Sequence, residues 1–208
     1  MIINDITVLC PCCGEELKIG VRRSVFIPEF GLDKKPSVRG GLPVFNYCHR
    51  CFFCSLNMQD KVDVEVQAVV ASPRYRETWV NSDMPLEDKK YYSAISLATT
   101  AHEAANLWMA YCWFLEFEGR LDEAVNARAE AVEILKHITQ DAPNFEDLFQ
   151  RMDSLRQLRR FTEALELIPT IKPLVSPDKD PYLVKLLIFE KKLILAEDSE
   201  PHYQSEAQ

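Results

Sequence analysis

The residues best equipped for chemistry are the cysteines, and they are unevenly placed. Six of the seven lie at or before position 54. They fall in two runs, Leu9-Cys10-Pro11-Cys12-Cys13-Gly14 and Tyr47-Cys48-His49-Arg50-Cys51-Phe52-Phe53-Cys54. Each run contains a C-x-x-C pair, and 34 residues separate Cys13 from Cys48. A C-x-x-C turn presents two thiolates to one metal ion, and two such turns complete a closed tetrahedral site of four sulfurs. In the first run Pro11 stiffens the turn, and Gly14 permits the strained exit after the second thiolate.

The first knuckle uses Cys10 and Cys13. The second admits two frames, Cys48/Cys51 and Cys51/Cys54. The first frame is preferred, because both knuckles then follow a β-compatible run, Ile6-Thr7-Val8-Leu9 and Val44-Phe45-Asn46-Tyr47. That frame resembles the C-x-x-C-Gly-aromatic pattern of zinc ribbons, with Phe52 standing where Gly is usual. The expected ligands are therefore Cys10, Cys13, Cys48 and Cys51, and the expected ion is a structural Zn2+. Iron fits the same all-thiolate cage and ranks below zinc. Cys12 and Cys54 are left over, as passive small residues or as redox-active thiols beside the cluster. A head of about 70 residues with few large aliphatics buries little surface, so a metal would supply folding energy there.

Other chemistry is excluded by what is missing. His102-Glu103-Ala104-Ala105-Asn106 lacks the second histidine of a zinc-protease helix. No Gly-rich phosphate loop and no G-x-S-x-G elbow occurs, so no catalytic constellation is expected. Cys112 lies among Tyr111, Trp113 and Phe114, which is the setting of a packing residue. Residues 1–66 carry equal numbers of each charge, so the net charge of −8 falls on residues 67–208. A neutral head and an acidic body do not suit nucleic acid, whose phosphates demand a basic surface. No run of about 18 apolar residues suggests a membrane span. The start, MIINDITVLCPCCG, has no basic n-region and no apolar h-region, so a reducing cytoplasm is the expected setting.

Around these residues the chain changes character. Five of the six glycines lie at or before position 41, and no proline falls between Pro85 and Pro143. The stretch between the knuckles is rich in Pro and Gly and reads as loop, with Arg22-Arg23 and Lys34-Lys35 as solvated surface. Val62-Asp63-Val64-Glu65-Val66 alternates as a half-buried strand does. Residues 71–88, with Pro73 and Pro85, read as a linker. From Lys89 onward Ile95, Ala98, Ala101, Ala105, Trp108, Cys112 and Leu115 recur at helical spacing. Gly119 ends that helix, and a second runs from about Asp122 to Ile138.

This hairpin resembles a tetratricopeptide (TPR) repeat, with Trp108, Cys112, Gly119, Ala124 and Ala131 at the fixed offsets of that pattern. Arg160-Phe161-Thr162-Glu163-Ala164-Leu165 matches the turn again, 40 residues later, and Asn144 is the expected N-cap of the helix before it. Asp180-Pro181 opens a further helix to about Ala196, and the last ten residues read as a frayed tail.

The combination resembles a family of bacterial proteins described as domain of unknown function 2225, in which two N-terminal knuckles precede TPR-like helices. The resemblance carries Cys10, Cys13, Cys48 and Cys51 over as the knuckle cysteines. The expected fold class is α+β, a small zinc-ribbon-like β head followed by an α-helical array of TPR-like hairpins. The expected limits are a four-cysteine domain over 1–70, a linker over 71–88, a helical domain over 89–198 and a tail over 199–208. The expected function is that of a non-enzymatic zinc-binding protein whose helical groove takes a protein or peptide partner. The alternatives are a nucleic-acid-binding zinc ribbon using Arg22, Arg23, Lys34, Lys35, Arg39 and Arg50, and a thiol sensor that releases zinc on oxidation.

Overall fold

A computed structural model describes residues 3–22, 27–80 and 83–207. The chain is mixed α and β, and divides into two compact units. One comprises residues 1–26 and 43–107, the other residues 27–42 and 108–208.

The first unit contains two antiparallel strand pairs. Strand β1 (Ile3–Leu9) pairs with β2 (Glu16–Arg22), in a register that sets Val8 opposite Leu17 and Ile6 opposite Ile19. Val8, Leu17 and Ile19 are buried. The β-branched residues of β1 favour this extended pairing. The shorter pair joins β3 (Asn46–Tyr47) to β4 (Cys54–Ser55). Helices α1 (Val64–Ala71), α2 (Pro73–Val80) and α3 (Leu86–Ser96) follow.

Two expectations fail here. The strand expected over Val62–Val66 is the start of α1. Its alternation lasts only to Val66, and Val64, meant for a buried face, is 80% exposed. Asp63 is extended at the N-cap and Glu65 lies in the first turn, where the helix dipole favours a carboxylate. The stretch read as a linker contains α2, which buries Tyr75 and Trp79. Pro73 occupies the first helical position of α2, where its missing N–H costs nothing.

The second unit holds the end of α4 (Ala101–Phe117), then α5 (Leu121–Asp141), α6 (Phe145–Gln157), α7 (Phe161–Glu166), α8 (Ile168–Ile171) and α9 (Pro181–Leu195). Three of these helices end in one way. After α4, the Arg120 N–H donates to the Leu115 carbonyl at 2.9 Å and Gly119 N–H to Glu116 at 3.1 Å, with Gly119 at φ +75°. After α6, Arg160 N–H donates to Leu155 at 2.8 Å and Arg159 N–H to Arg156 at 2.8 Å, with Arg159 at φ +59°. After α9, Asp198 and Glu197 repeat the pattern onto Leu193 and Ile194. These are Schellman caps, each needing one left-handed residue. The first two turns also share an arginine clamped on a glutamate three residues on, Arg120 on Glu123 and Arg160 on Glu163. Ala124 and Ala164 follow, both buried. The hairpins therefore repeat at 40 residues, as the sequence suggests. Asn144 caps α6, accepting from the Asp147 N–H at 2.9 Å.

Helix α6 is the centre of the unit, with Asp147 to Gln150 and Met152 to Arg156 all buried. Arg156 is fully buried among Asp153 at 2.5 Å, Glu190 at 2.8 Å and the carbonyls of Asp198 and Glu200 at 2.8 Å. The tail expected to fray is thus held. Leu32 N–H donates to the His202 carbonyl and Gln204 N–H to that of Phe30, and Ala207 enters the apolar core. No local pattern signals this, because the chain that satisfies the tail lies about 170 positions earlier.

Candidate metal centre

Each cysteine knuckle is the tip of one strand pair. In the first, Cys10 N–H donates to the Glu15 carbonyl at 2.7 Å and Gly14 N–H to the Cys10 carbonyl at 2.8 Å. In the second, Cys48 N–H donates to Phe53 at 2.9 Å and Phe52 N–H to Cys48 at 2.8 Å. The two turns are built alike, residue for residue. Gly14 takes φ +75°, and Phe52 takes φ +66° at the equivalent position. A left-handed phenylalanine costs about 1–2 kcal/mol that a glycine would not. Its surroundings hold it there. The Phe52 ring stacks on Trp79 at 5.3 Å, and the Phe52 carbonyl accepts from the Tyr75 hydroxyl at 2.8 Å. Tyr47, just before the same knuckle, also stacks on Trp79, at 4.9 Å. The indole N–H donates to the Ser93 hydroxyl at 2.6 Å, which ties the knuckle to α2 and α3.

The structure brings Cys10, Cys13, Cys48 and Cys51 together, with all four sulfurs within 4.8 Å of one another. Across the two knuckles, Cys10 stands 3.6 Å from Cys51 and Cys13 stands 3.6 Å from Cys48. Four sulfurs at about 2.3 Å from one tetrahedral ion stand about 3.8 Å apart, so the group fits a single metal ion. Cys10, Cys48 and Cys51 are buried and Cys13 is half-buried. Backbone amides point at the sulfurs, from Glu15 to Cys13 and, at the matching position, from Phe53 to Cys51. Such amides soften thiolate charge and fix ligand orientation. Burial, the largest of several causes, raises the Cys10 thiol to about 11 and Cys51 higher still. A divalent cation reverses that preference, since its charge stabilises the thiolates outright. Arg50 lies beside Cys13 and Cys48 and pairs with Glu15 at 2.9 Å, linking the two knuckles.

The other cysteines are placed differently. Cys12 lies half-buried near Cys13, Cys48 and Cys51, and burial raises its thiol. Cys54 sits on β4 and faces the Lys90 carbonyl at 3.5 Å, and burial pushes it up to about 12. Cys112 lies in the second unit, donating to Glu116 at 3.6 Å. Neither of the last two joins the four-sulfur group. His102 is exposed on α4, and it too lies outside that group. The supporting aromatics Tyr75 and Trp79 escape a reading by motif. Only Tyr47 and Phe52, bracketing the knuckle, hint that something must cover it. Among the described residues, no helix is long and apolar enough to cross a membrane. Comparison of the chain with protein families, with curated proteins and with solved structures finds no match.

Proposed function

We propose that the protein is a non-enzymatic cytoplasmic zinc protein, a zinc-ribbon-like centre joined to a TPR-like helical interaction module. The observation that carries this reading is the convergence of four thiols, from two turns of one construction, within 4.8 Å. Four protein sulfurs fill a tetrahedral ion's coordination and leave no position for water or substrate, which favours a structural role over a catalytic one. Zinc is favoured over iron because it needs no redox partner and suits a closed thiolate cage. The interaction role draws on the repeated hairpin turns at Gly119 and Arg159 and on the kinship implied by the resemblance to domain of unknown function 2225. Short helical hairpins stacked in series are widely used as peptide-binding surfaces.

Elemental analysis of reduced, purified protein tests the centre. One zinc per chain is expected in the wild type and in Cys12→Ser and Cys54→Ser. Loss of metal is expected in Cys→Ser variants at positions 10, 13, 48 and 51. Iron in place of zinc corrects the cofactor, and retention of metal in Cys48→Ser with loss in Cys54→Ser overturns the ligand frame.

A further inference from the structure

Residues 27–42 stand far from the helices in sequence but belong to their unit. Between Phe30 and Pro36, which form an antiparallel bridge, the chain turns through Lys34 at φ +68°. Four consecutive side chains at this turn each meet a matching group on the helices. Leu32 enters the apolar core. Asp33 is buried, and its Oδ2 accepts from Trp113 Nε1 on α4 at 2.9 Å and from Arg128 Nη1 on α5 at 2.8 Å. Lys34 pairs with Glu146 on α6 at 3.0 Å, and Lys35 with Glu116 on α4 at 2.6 Å, its ammonium lying 4.8 Å from the Phe117 ring centre. Gly31 lets this happen, since a Cβ there would stand 2.9 Å from Asp33 Oδ1.

This is the pattern by which a groove reads a peptide. One apolar anchor is buried, one carboxylate is held by a guanidinium and an indole N–H, and two ammonium groups meet acceptors. A buried ion pair is poor value as a source of stability, because desolvation consumes most of its attraction. What it supplies is discrimination, since an uncharged side chain in the same place leaves the buried guanidinium with Glu116, at 2.6 Å from its other nitrogen, as its only carboxylate. Arg128 and Trp113 therefore form a receptor for a carboxylate, already filled from within the chain.

We propose that residues 27–42 are a ligand held in cis, and that the partner of the helical unit is a peptide segment of the same chemistry, an apolar residue followed by Asp and two basic residues, which competes for the Arg128–Trp113 site. The proposal rests on the helices being an interaction module, and names what they bind.

The test uses the full-length, metal-loaded protein and a labelled peptide with the sequence of residues 29–36, Glu-Phe-Gly-Leu-Asp-Lys-Lys-Pro. A second peptide carries Asn in place of Asp. The chain with Asp33→Asn, which weakens its own ligand, is expected to bind the Asp peptide at least tenfold more tightly than the wild type does. The Asn peptide is expected to bind at least tenfold more weakly than the Asp peptide. Equal binding of the two peptides, or no binding to a variant that still melts cooperatively, overturns the proposal. Should Asp33→Asn not fold, the wild type decides the matter by hydrogen exchange. Millimolar Asp peptide is expected to speed exchange of the Leu32 and Lys35 amides, and unchanged exchange overturns the proposal. A protein partner that binds the wild type and Arg128→Gln equally leaves the interaction module standing and removes this site.

Discussion

Exchanging the residue types at two matching helix caps gives a pair of opposite effects. Gly119 and Arg159 occupy the same position of the same cap, at φ +75° and +59°. A Cβ at Gly119 would meet nothing within 4 Å, so Gly119→Ala changes only backbone preference. The Arg159 side chain is exposed, so its removal uncovers little. A non-glycine residue in the left-handed region costs about 1–2 kcal/mol. Glycine recovers that but loses about 0.5–1 kcal/mol more chain entropy on folding. The net effect is about 0.5–1 kcal/mol, stabilising for Arg159→Gly and destabilising for Gly119→Ala. For a chain of this size 1 kcal/mol moves Tm by about 2–4 °C. Urea melts followed by far-UV circular dichroism measure both, with an unchanged m-value as the check that only stability moved. If Arg159→Gly lowers the midpoint, or if both variants shift it the same way, the shared cap geometry is wrong.

Other outcomes follow from the remaining features. Chelation of the reduced protein is expected to lower the melting temperature of the cysteine-bearing unit and to change the fluorescence of Trp79, which stacks on residues at both ends of the second knuckle. Re-adding zinc restores both signals. Arg156→Met strands the buried Asp153 and Glu190 carboxyls and releases the carbonyls of Asp198 and Glu200, so it should cost about 3–5 kcal/mol in urea melts. His202 lies between Glu206 at 2.8 Å and Asp198 at 3.1 Å. Burial works against its charge, but the two carboxylates outweigh burial and hold it above its ordinary value of about 6.5. Because the folded value is the higher one, this pair stabilises fully below about pH 6.5 and is lost as pH rises through the folded value. The ring-proton shift of His202 in an NMR titration shows the raised midpoint, and His202→Gln removes that part of the pH dependence of unfolding.

What could be read from the sequence was whatever is fixed within a few residues. The knuckles are local, because two thiols three apart on a turn reach one ion whatever surrounds them. The Cys48/Cys51 frame followed from the strand run before each knuckle, and the structure places that pair in the four-sulfur group and Cys54 outside it. The hairpin turns were legible through Gly119 and through the match at Arg160 to Ala164, although Arg159 hides the second left-handed residue behind an arginine. Long-range pairing was not legible. Lys34 and Lys35 read as solvated surface because polar residues in a Gly- and Pro-rich stretch usually are, while their acceptors lie 112 and 81 positions away. The same holds for the tail strapped by Arg156. The strand expected at Val62–Val66 failed because five alternating residues are too few to separate a strand from the start of a helix, and α1 begins at Val64.

The excursion of residues 27–42 also sets an order of events during synthesis. Asp33 leaves the ribosome 95 residues before Arg128. At about 10 residues per second that is a wait of about 10 s. Through this interval the carboxylate has no guanidinium and Leu32 has no core, while the cysteines on both flanks of the excursion, the last ligand being Cys51, are all out well before Arg128. The knuckles can close around a metal first, looping the excursion out as a tethered strand of fixed ends. The helices then arrive to a segment held near both its anchors, so the late pairing proceeds as an intramolecular docking step.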